Sequence, residues 1–372
     1  MRVAIVHDWL TGMRGGEKVL EVFCEIYPEA DIFSLVYIPD KISETIKKHK
    51  ITTSFINSLP WAWKRHQLYL PLFPMAIELF DLADYDLIIS TSHCVAKGVI
   101  TRATSLNVCY CHTPMRYAWD FQGVYRREAR PPWLVGTIFA LTLEYLRRWD
   151  VASAGRPNHY IANSHNVRRR IERYYGKEAD VVHPPVDDVF FVPSNDEPKD
   201  YWLMLSAMVP YKDLDGAIEA FNQSGRKLHV VGAGAQRSRL EAMACDNVTF
   251  FGWLTNEEVR EQLQNSRGLI FPGEEDFGIT PLEANACGRP VVALRKGGVL
   301  ESQVEDKTAC FFDELTPELL NEAVTKAEAK EWDSKAIREH AETFSRKRFR
   351  SQLEEKIAQY DEAFKKWKSV IA

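Results

Sequence analysis

Phe271-Pro272-Gly273-Glu274-Glu275-Asp276-Phe277-Gly278-Ile279-Thr280-Pro281-Leu282-Glu283-Ala284-Asn285-Ala286-Cys287-Gly288-Arg289-Pro290-Val291-Val292 is the stretch that decides the fold. An apolar run ends at Phe271, a loop carries three acids, and a short helical segment leads to a second apolar run. That is one strand–helix–strand unit of a parallel sheet. Thr280 reads as the N-cap and Pro281 as the first helical residue. Glu283 stands three residues after Thr280, so it can close a capping box on its own helix. The competing reading turns the helix start toward a diphosphate, with Glu275 and Glu283 accepting hydrogen bonds from sugar hydroxyls. A capping box requires neither Glu275 nor Gly278, which frees backbone N–H groups just before the helix.

The same alternation of short apolar runs and amphipathic stretches extends in both directions. Strands are expected at residues 3–7, 31–36, 86–90, 107–111, 159–162 and 180–183, then near 202–206, 227–231, 248–251, 268–271 and 290–293. Helices are expected at 17–27, 166–175, 215–223, 236–242, 256–264 and 281–286, and the chain beyond about 315 is helical and highly charged. A polar stretch with two prolines, 191–200, separates the halves. The expected division is a first domain over 1–193, joined by a last helix at about 350–372, and a second over 197–349. With 372 residues, two cores are the natural arrangement.

Composition excludes several classes. A formal net charge of −5 does not suit a general nucleic-acid binder. The opening Met1-Arg2-Val3-Ala4-Ile5-Val6 reads as a strand and not a cleavable leader. No apolar run reaches the ~20 residues that a membrane span needs. The seven cysteines show no C-x2-C pairing for zinc and read as reduced thiols.

Several further segments carry candidate chemistry. Thr11–Glu17 contains Arg14, Gly15 and Gly16 and opens a helix after the first strand, where free N–H groups suit an anion. Gly232 and Gly234 follow a strand of the second half and serve either a ligand or a tight turn. Lys212, in Val209-Pro210-Tyr211-Lys212, follows the first strand of that half, where ligands bind at parallel sheet edges. His112 follows a central strand of the first half and is joined by Arg116, Trp119 and Asp120.

Two regions depart from the sheet pattern. Residues 59–80 are rich in Trp, Tyr, Pro and Leu around Lys64, Arg65 and His66, and an Arg126–Arg130 run precedes an apolar stretch over 133–149. Basic residues beside aromatics suit an anionic membrane interface. The alternative is a protein-covered helix with an insertion over the sheet, and the pattern does not choose between them.

Together these segments resemble glycosyltransferase family 4, whose members have the GT-B fold: α/β, with two Rossmann-like domains facing across a cleft and a C-terminal helix crossing back to the first domain. The Glu-x7-Glu signature is met by Glu275 and Glu283. Supporting matches are Gly15-Gly16-Glu17, Tyr110 to Asp120, Ala162-Asn163-Ser164, His183-Pro184-Pro185-Val186-Asp187, Lys212, Gly232-x-Gly234 and Gly297-Gly298. Within the family, the segments around His112 and Lys212 look like those of bacterial O-antigen and exopolysaccharide mannosyltransferases, which use GDP-mannose.

The resemblance implies a retaining, metal-independent transfer with no cofactor beyond a nucleotide-sugar donor. Glu283 would bind the ribose, Glu275 the sugar, and Lys212 the diphosphate, with Gly15 and Gly16 covering it. Gly232, Gly234, Phe277, Gly278 and Ile279 would line the donor site. His112 would orient the reacting centre, and Arg14, Arg116, Trp119 and Asp120 would form the acceptor side. The acceptor would be a glycan or polyprenyl-diphosphate-linked saccharide, reached in the cytoplasm at the inner membrane face. One departure stands out: many members carry Arg five residues before the Lys, and this chain has Ala207. Two rivals follow, a nucleotide-sugar 2-epimerase and a non-catalytic nucleotide-sugar-binding subunit of a polysaccharide assembly complex; Ala207 favours only the second.

Overall fold

The computed structural model of the protein describes residues 1–120 and 133–371. The chain forms two compact units. One comprises Met1–His183 with Phe349–Ala372, the other Pro184–Arg348. The division falls at His183/Pro184 and not within the polar stretch 191–200. The reason is packing: Phe191 is buried in the core of the second unit with Val186, Tyr201 and Phe344.

The first unit holds a parallel sheet of β1 (Val3–His7), β2 (Asp31–Ser34), β3 (Ile51–Thr53), β4 (Leu87–Ser92), β5 (Leu106–Cys111), β6 (His159–Ala162) and β7 (Asp180–Val181), in the order β3-β2-β1-β4-β5-β6-β7. The second holds β8 (Trp202–Leu205), β9 (Leu228–Val231), β10 (Val248–Gly252), β11 (Leu269–Phe271), β12 (Val291–Leu294) and β13 (Ala309–Phe312), ordered β10-β9-β8-β11-β12-β13. Every pair is parallel, with β1 flanked by β2 and β4 and β11 flanked by β8 and β12. Strands such as β4 and β5 are buried along their whole length, as expected where helices cover both faces of a sheet.

Each strand order reverses once, between β1 and β4 and between β8 and β11. In an open parallel sheet that reversal leaves a crevice beyond the strands' C-terminal ends, where ligands bind. Both sheets belong to the GT-B type of α/β fold. The edge strands β3 and β13, of three and four residues, add to those expected from the sequence.

The last helix, Arg346–Ile371, presents Phe349, Leu353, Ile357 and Tyr360 at helical spacing to the core of the first unit. Phe349 packs edge-on to Tyr110 at 5.7 Å, and Tyr360 stacks on His159 at 4.0 Å. Lys356 pairs with Asp180 at 2.9 Å. Among the described residues no helix is long and apolar enough to cross a membrane.

Candidate functional site

At the strand reversal of the second unit, Lys212 leaves the turn that follows β8 and Glu275 leaves the loop that follows β11. The Lys212 ammonium is ion-paired with Glu275 Oε1. Local backbone sets this up. Pro210–Lys212 is a 3-10 turn, and Asp213 beyond it adopts φ 49° and ψ 49°, a left-handed conformation uncommon for a residue with a Cβ. Burial first, and then the charge of Asp215, raise the Asp213 carboxyl above its ordinary range.

The acidic loop is held by the loop after β12. Gly298 N–H donates to the Glu275 carbonyl at 2.8 Å, and Glu275 and Gly297 form an isolated parallel bridge. A Cβ on Gly297 would collide with the Glu275 carbonyl, and one on Gly298 with that of Asp276. The Gly297-Gly298 pair thus positions the backbone of Glu275. Gly232 and Gly234 have a parallel explanation, since Cβ atoms there would strike the carbonyls of Ser206 and Met208. Those contacts set the path of the chain toward Lys212.

The helix beyond the acidic loop runs Ile279–Ala286, capped by Gly278 at φ 85°. It starts earlier than the expected Thr280/Pro281 boundary, and Thr280 makes no side-chain cap. The capping box with Glu283 is therefore not formed: left-handed Gly278 turns the chain into the helix before Thr280 can act. Glu283 lies a turn inside the helix and is almost wholly buried. Burial and the charge of Glu283 push the Cys287 thiol up to about 12. The Phe277 side chain is core, packed on Phe344 at 5.9 Å.

Ala207 is exposed. Arg295 is committed elsewhere, with Nε on Asp313 at 2.8 Å and Nη2 on Glu305 at 2.6 Å. Lys296 is exposed beside it, and Arg14 is exposed on the first unit.

In the first unit the strand ends bring together a cluster that includes His112. Gly15 and Gly16 open the helix Gly15–Ile26, with Arg14 N–H donating to Glu17 Oε2 at 3.0 Å. A Cβ on Gly16 would lie 3.6 Å from His112 Nε2 and 3.7 Å from His7 Cε1, so the glycine turn rests on two imidazoles. His7 Nδ1 shares a hydrogen bond with Thr91 Oγ1 at 2.6 Å, and His7 Nε2 is 3.8 Å from Glu17 Oε1. Burial opposes the Glu17 charge, but the hydrogen bond and charge of His7 outweigh it and lower the carboxyl. Burial, reinforced by His93 and His7, holds His112 well below the usual imidazole range, so the ring is neutral at pH 7. Its Nε2 is buried without a hydrogen-bond partner among the described residues.

Asp8, wholly buried, accepts backbone N–H groups of His93, Cys94, Val95 and Ala96 at 2.7, 2.9, 2.6 and 2.8 Å, and His93 Nδ1 lies 3.2 Å away. It thus fixes the turn after β4. His7, Asp8 and His93 were not singled out by the sequence. The rule that marked His112, a polar residue at a strand's C-terminal end, applies equally to His7-Asp8.

The expected acceptor residues have internal partners. Trp119 Nε1 donates to Asp150 at 2.8 Å while its ring stacks on Tyr174 at 4.5 Å. Asp120 accepts from the Tyr174 hydroxyl and lies 3.4 Å from Arg170 Nε. Arg116 begins the short helix Arg116–Trp119. Ser164 is an N-cap, accepting from Val167 N–H at 3.0 Å. The Arg126–Arg130 run lies outside the described residues.

A family model described as "Glycosyltransferase Family 4" matches residues 14–190, and one for "Glycosyl transferases group 1" matches 186–346. The chain is similar to a GDP-mannose-dependent alpha-(1-6)-phosphatidylinositol monomannoside mannosyltransferase of Mycolicibacterium smegmatis, 29% identical over 43% of this chain and 50% of that one. It is similar also to the O-antigen chain mannosyltransferase RfbU of Salmonella typhimurium, 26% identical over 40% of this chain and 45% of that one. The match thus spans about half the length of these curated relatives. Among solved structures, Anabaena HepE in complex with UDP and glucose superposes with a TM-score of 0.70 at 15% identity, over 96% of this chain and 99% of that one. Two family models laid end to end, on two parallel sheets that each reverse order once, settle the matter: the chain belongs to glycosyltransferase family 4.

Proposed function

We propose that this protein is a retaining hexosyltransferase that moves mannose from GDP-mannose to a lipid-linked saccharide or glycan in the synthesis of a bacterial surface polysaccharide. The observation that carries this reading is the Lys212–Glu275 pair at the strand reversal of the second unit, beside a helix that starts at a left-handed glycine. A departing nucleoside diphosphate gains negative charge as the bond from sugar C1 to its oxygen breaks. Lys212 and the first N–H groups of helix Ile279–Ala286 supply fixed positive charge at that point, which is the role a metal plays elsewhere. Glu275 accepts hydrogen bonds from sugar hydroxyls. The acceptor oxygen bonds to C1 on the face the diphosphate leaves, and the acceptor proton passes to the departing phosphate oxygen. We assign His112 to the sugar, where a neutral imidazole contacts hydroxyls without adding charge.

Support for mannose and for the guanine nucleotide comes from the relatives named for those substrates. The UDP and glucose bound by HepE keep the uridine alternative in the test. Calorimetric titration with GDP, UDP and ADP decides the base: the reading requires GDP to bind tightest, and preferential binding of UDP or ADP contradicts it. Incubation of GDP-mannose alone, followed by addition of acceptor, separates transfer from epimerisation. Sugar altered without acceptor would reject the proposal.

A further inference from the structure

Among the imidazoles of His7, His93 and His112 at the strand ends of the first unit, that of His93 is set apart by what its two nitrogens face. Its Nδ1 lies 3.2 Å from Asp8 Oδ2, and Asp8 is wholly buried. A carboxylate only accepts, so Nδ1 carries the ring hydrogen and Nε2, on the far side of the ring, holds a lone pair. Burial lowers the pKa of the ring despite the adjacent Asp8 charge, so the imidazole is neutral at pH 7. The His93 side chain is 28% exposed, whereas that of His7 is wholly enclosed. Trp9 meets the His93 ring edge-on at 4.4 Å and restricts its rotation.

The fold does not need this ring. Asp8 already accepts the backbone N–H groups of His93, Cys94, Val95 and Ala96, which fill the places a carboxylate offers. Those four bonds would form with any side chain at position 93. What the contact with Nδ1 adds is orientation: an imidazole held by a carboxylate through one nitrogen is aimed for use of the other. The rings of His93 and His112 are 6.3 Å apart, so a group meeting His93 Nε2 lies next to the sugar assigned to His112.

We propose that His93 accepts a hydrogen bond at Nε2 from a hydroxyl of the acceptor sugar, and that Asp8 positions it for this contact. The inference rests on the transferase reading above. There the attacking hydroxyl gives its only proton to the departing phosphate oxygen, so the hydroxyl at His93 is a second one on the same acceptor residue. The acceptor group is accordingly a sugar with at least two free hydroxyls, and not a lone alcohol. A neutral nitrogen lone pair repels phosphate oxygens, so this place does not suit a diphosphate. Trp119 and Asp120, expected on the acceptor side, are tied to Asp150, Tyr174 and Arg170 and do not fill the role.

The test uses the full chain. Calorimetry with GDP and UDP selects the donor nucleotide and checks the transferase reading separately. With that donor, nucleotide release is measured using methyl α-mannoside, methyl α-galactoside and methyl α-glucoside as acceptors, then monodeoxy analogues of the best of them. The wild type should use one deoxy analogue about three- to tenfold less well, the cost of one neutral hydrogen bond. His93→Phe should raise the acceptor KM by a similar factor, keep nucleotide affinity within about twofold, and lose the discrimination against that analogue. His93→Gln keeps an oxygen that can accept and should recover part of the discrimination; Asp8→Asn should reduce it. Equal discrimination by wild type and His93→Phe, or an unchanged acceptor KM, alongside tight nucleotide binding would overturn this inference alone. Nucleotide release that none of the three glycosides stimulates would overturn it as well.

Discussion

The ammonium of Lys212 and the carboxylate of Glu275, set on neighbouring strand ends and each mostly shielded from solvent, neutralise one another. On the function proposed above, a diphosphate would compete with Glu275 for Lys212, so that donor binding would take the ammonium and release the carboxylate to the sugar. Glu275→Gln removes the competitor and keeps the shape. GDP affinity in this variant should stay level or rise by up to about tenfold, while mannosyl transfer falls by at least about a hundredfold. Weaker GDP binding in Glu275→Gln, read by calorimetry, would show that the carboxylate supports the nucleotide and not the sugar.

Lys212→Met removes the charge and retains much of the length. Loss of one charge-assisted contact to phosphate should cost about 1.5–3 kcal/mol, or roughly 10- to 150-fold in GDP affinity. Ala207 offers no second guanidinium nearby, so the loss should fall at the upper end of that range. An unchanged dissociation constant for GDP would remove Lys212 from the phosphate site.

Gly297 tests whether the acidic loop is built by its neighbour. Its φ of 76° and the carbonyl of Glu275 both exclude a methyl group. Gly297→Ala should destabilise the fold by about 2–4 kcal/mol, combining left-handed strain with displaced backbone, and should depress transfer further than the stability loss explains. Gly155→Ala is the control, because a Cβ there meets nothing within 4 Å. Urea melts of the two variants give the comparison.

What could be read from the sequence follows the range of each signal. Strand runs such as 107–111 and glycine turns such as Gly15-Gly16 are local, and they place the sheet and its C-terminal edge. Gly278 and Glu275 are legible for the same reason. The exact helix start was not, because a left-handed glycine cap and a Thr-Pro cap give overlapping patterns two residues apart. Trp119 and Asp120 look like ligand-facing residues until the fold supplies Asp150, Tyr174 and Arg170 from other helices. Lys97 is the clearest case. In Val95-Ala96-Lys97-Gly98 it has the appearance of a surface lysine, and only a partner 53 residues away makes it a buried one.

That partner makes a further prediction. Lys97 Nζ lies 2.9 Å from Asp150 Oδ1 and donates to Ser153 Oγ at 2.8 Å, and both charged residues are wholly buried. Asp150 Oδ2 also accepts from Trp119 Nε1 and from the Tyr175 hydroxyl, so the pair ties the segment after His112 to the helix Trp133–Ser153. Lys97→Met leaves a buried carboxylate without its cation and should cost about 3–5 kcal/mol. Lys97→Met with Asp150→Asn removes both charges and should recover part of that loss. A double variant no more stable than Lys97→Met would mean that hydrogen bonding to Trp119 and Tyr175, and not charge, is what Asp150 contributes.

His66 gives the pH dependence of folding a defined sign. Its ring lies between Trp9 at 5.0 Å and Phe73 at 6.5 Å, and neither ring nitrogen has a hydrogen-bond partner among the described residues. Burial, with smaller contributions from His93 and Arg14, lowers its pKa to about 4. An unfolded chain binds a proton at this residue below about pH 6.5, whereas the folded protein does so only near pH 4. The stability contributed by the neutral ring is thus complete above pH 6.5 and is lost as the pH falls toward 4. Between pH 7 and pH 5 the wild type should lose about 2 kcal/mol more than His66→Phe, which cannot titrate. Other buried imidazoles such as His93 and His112 titrate in both proteins, so the difference between the two sets of urea melts isolates His66. Parallel pH profiles for wild type and variant would show that the ring is solvated in the folded state.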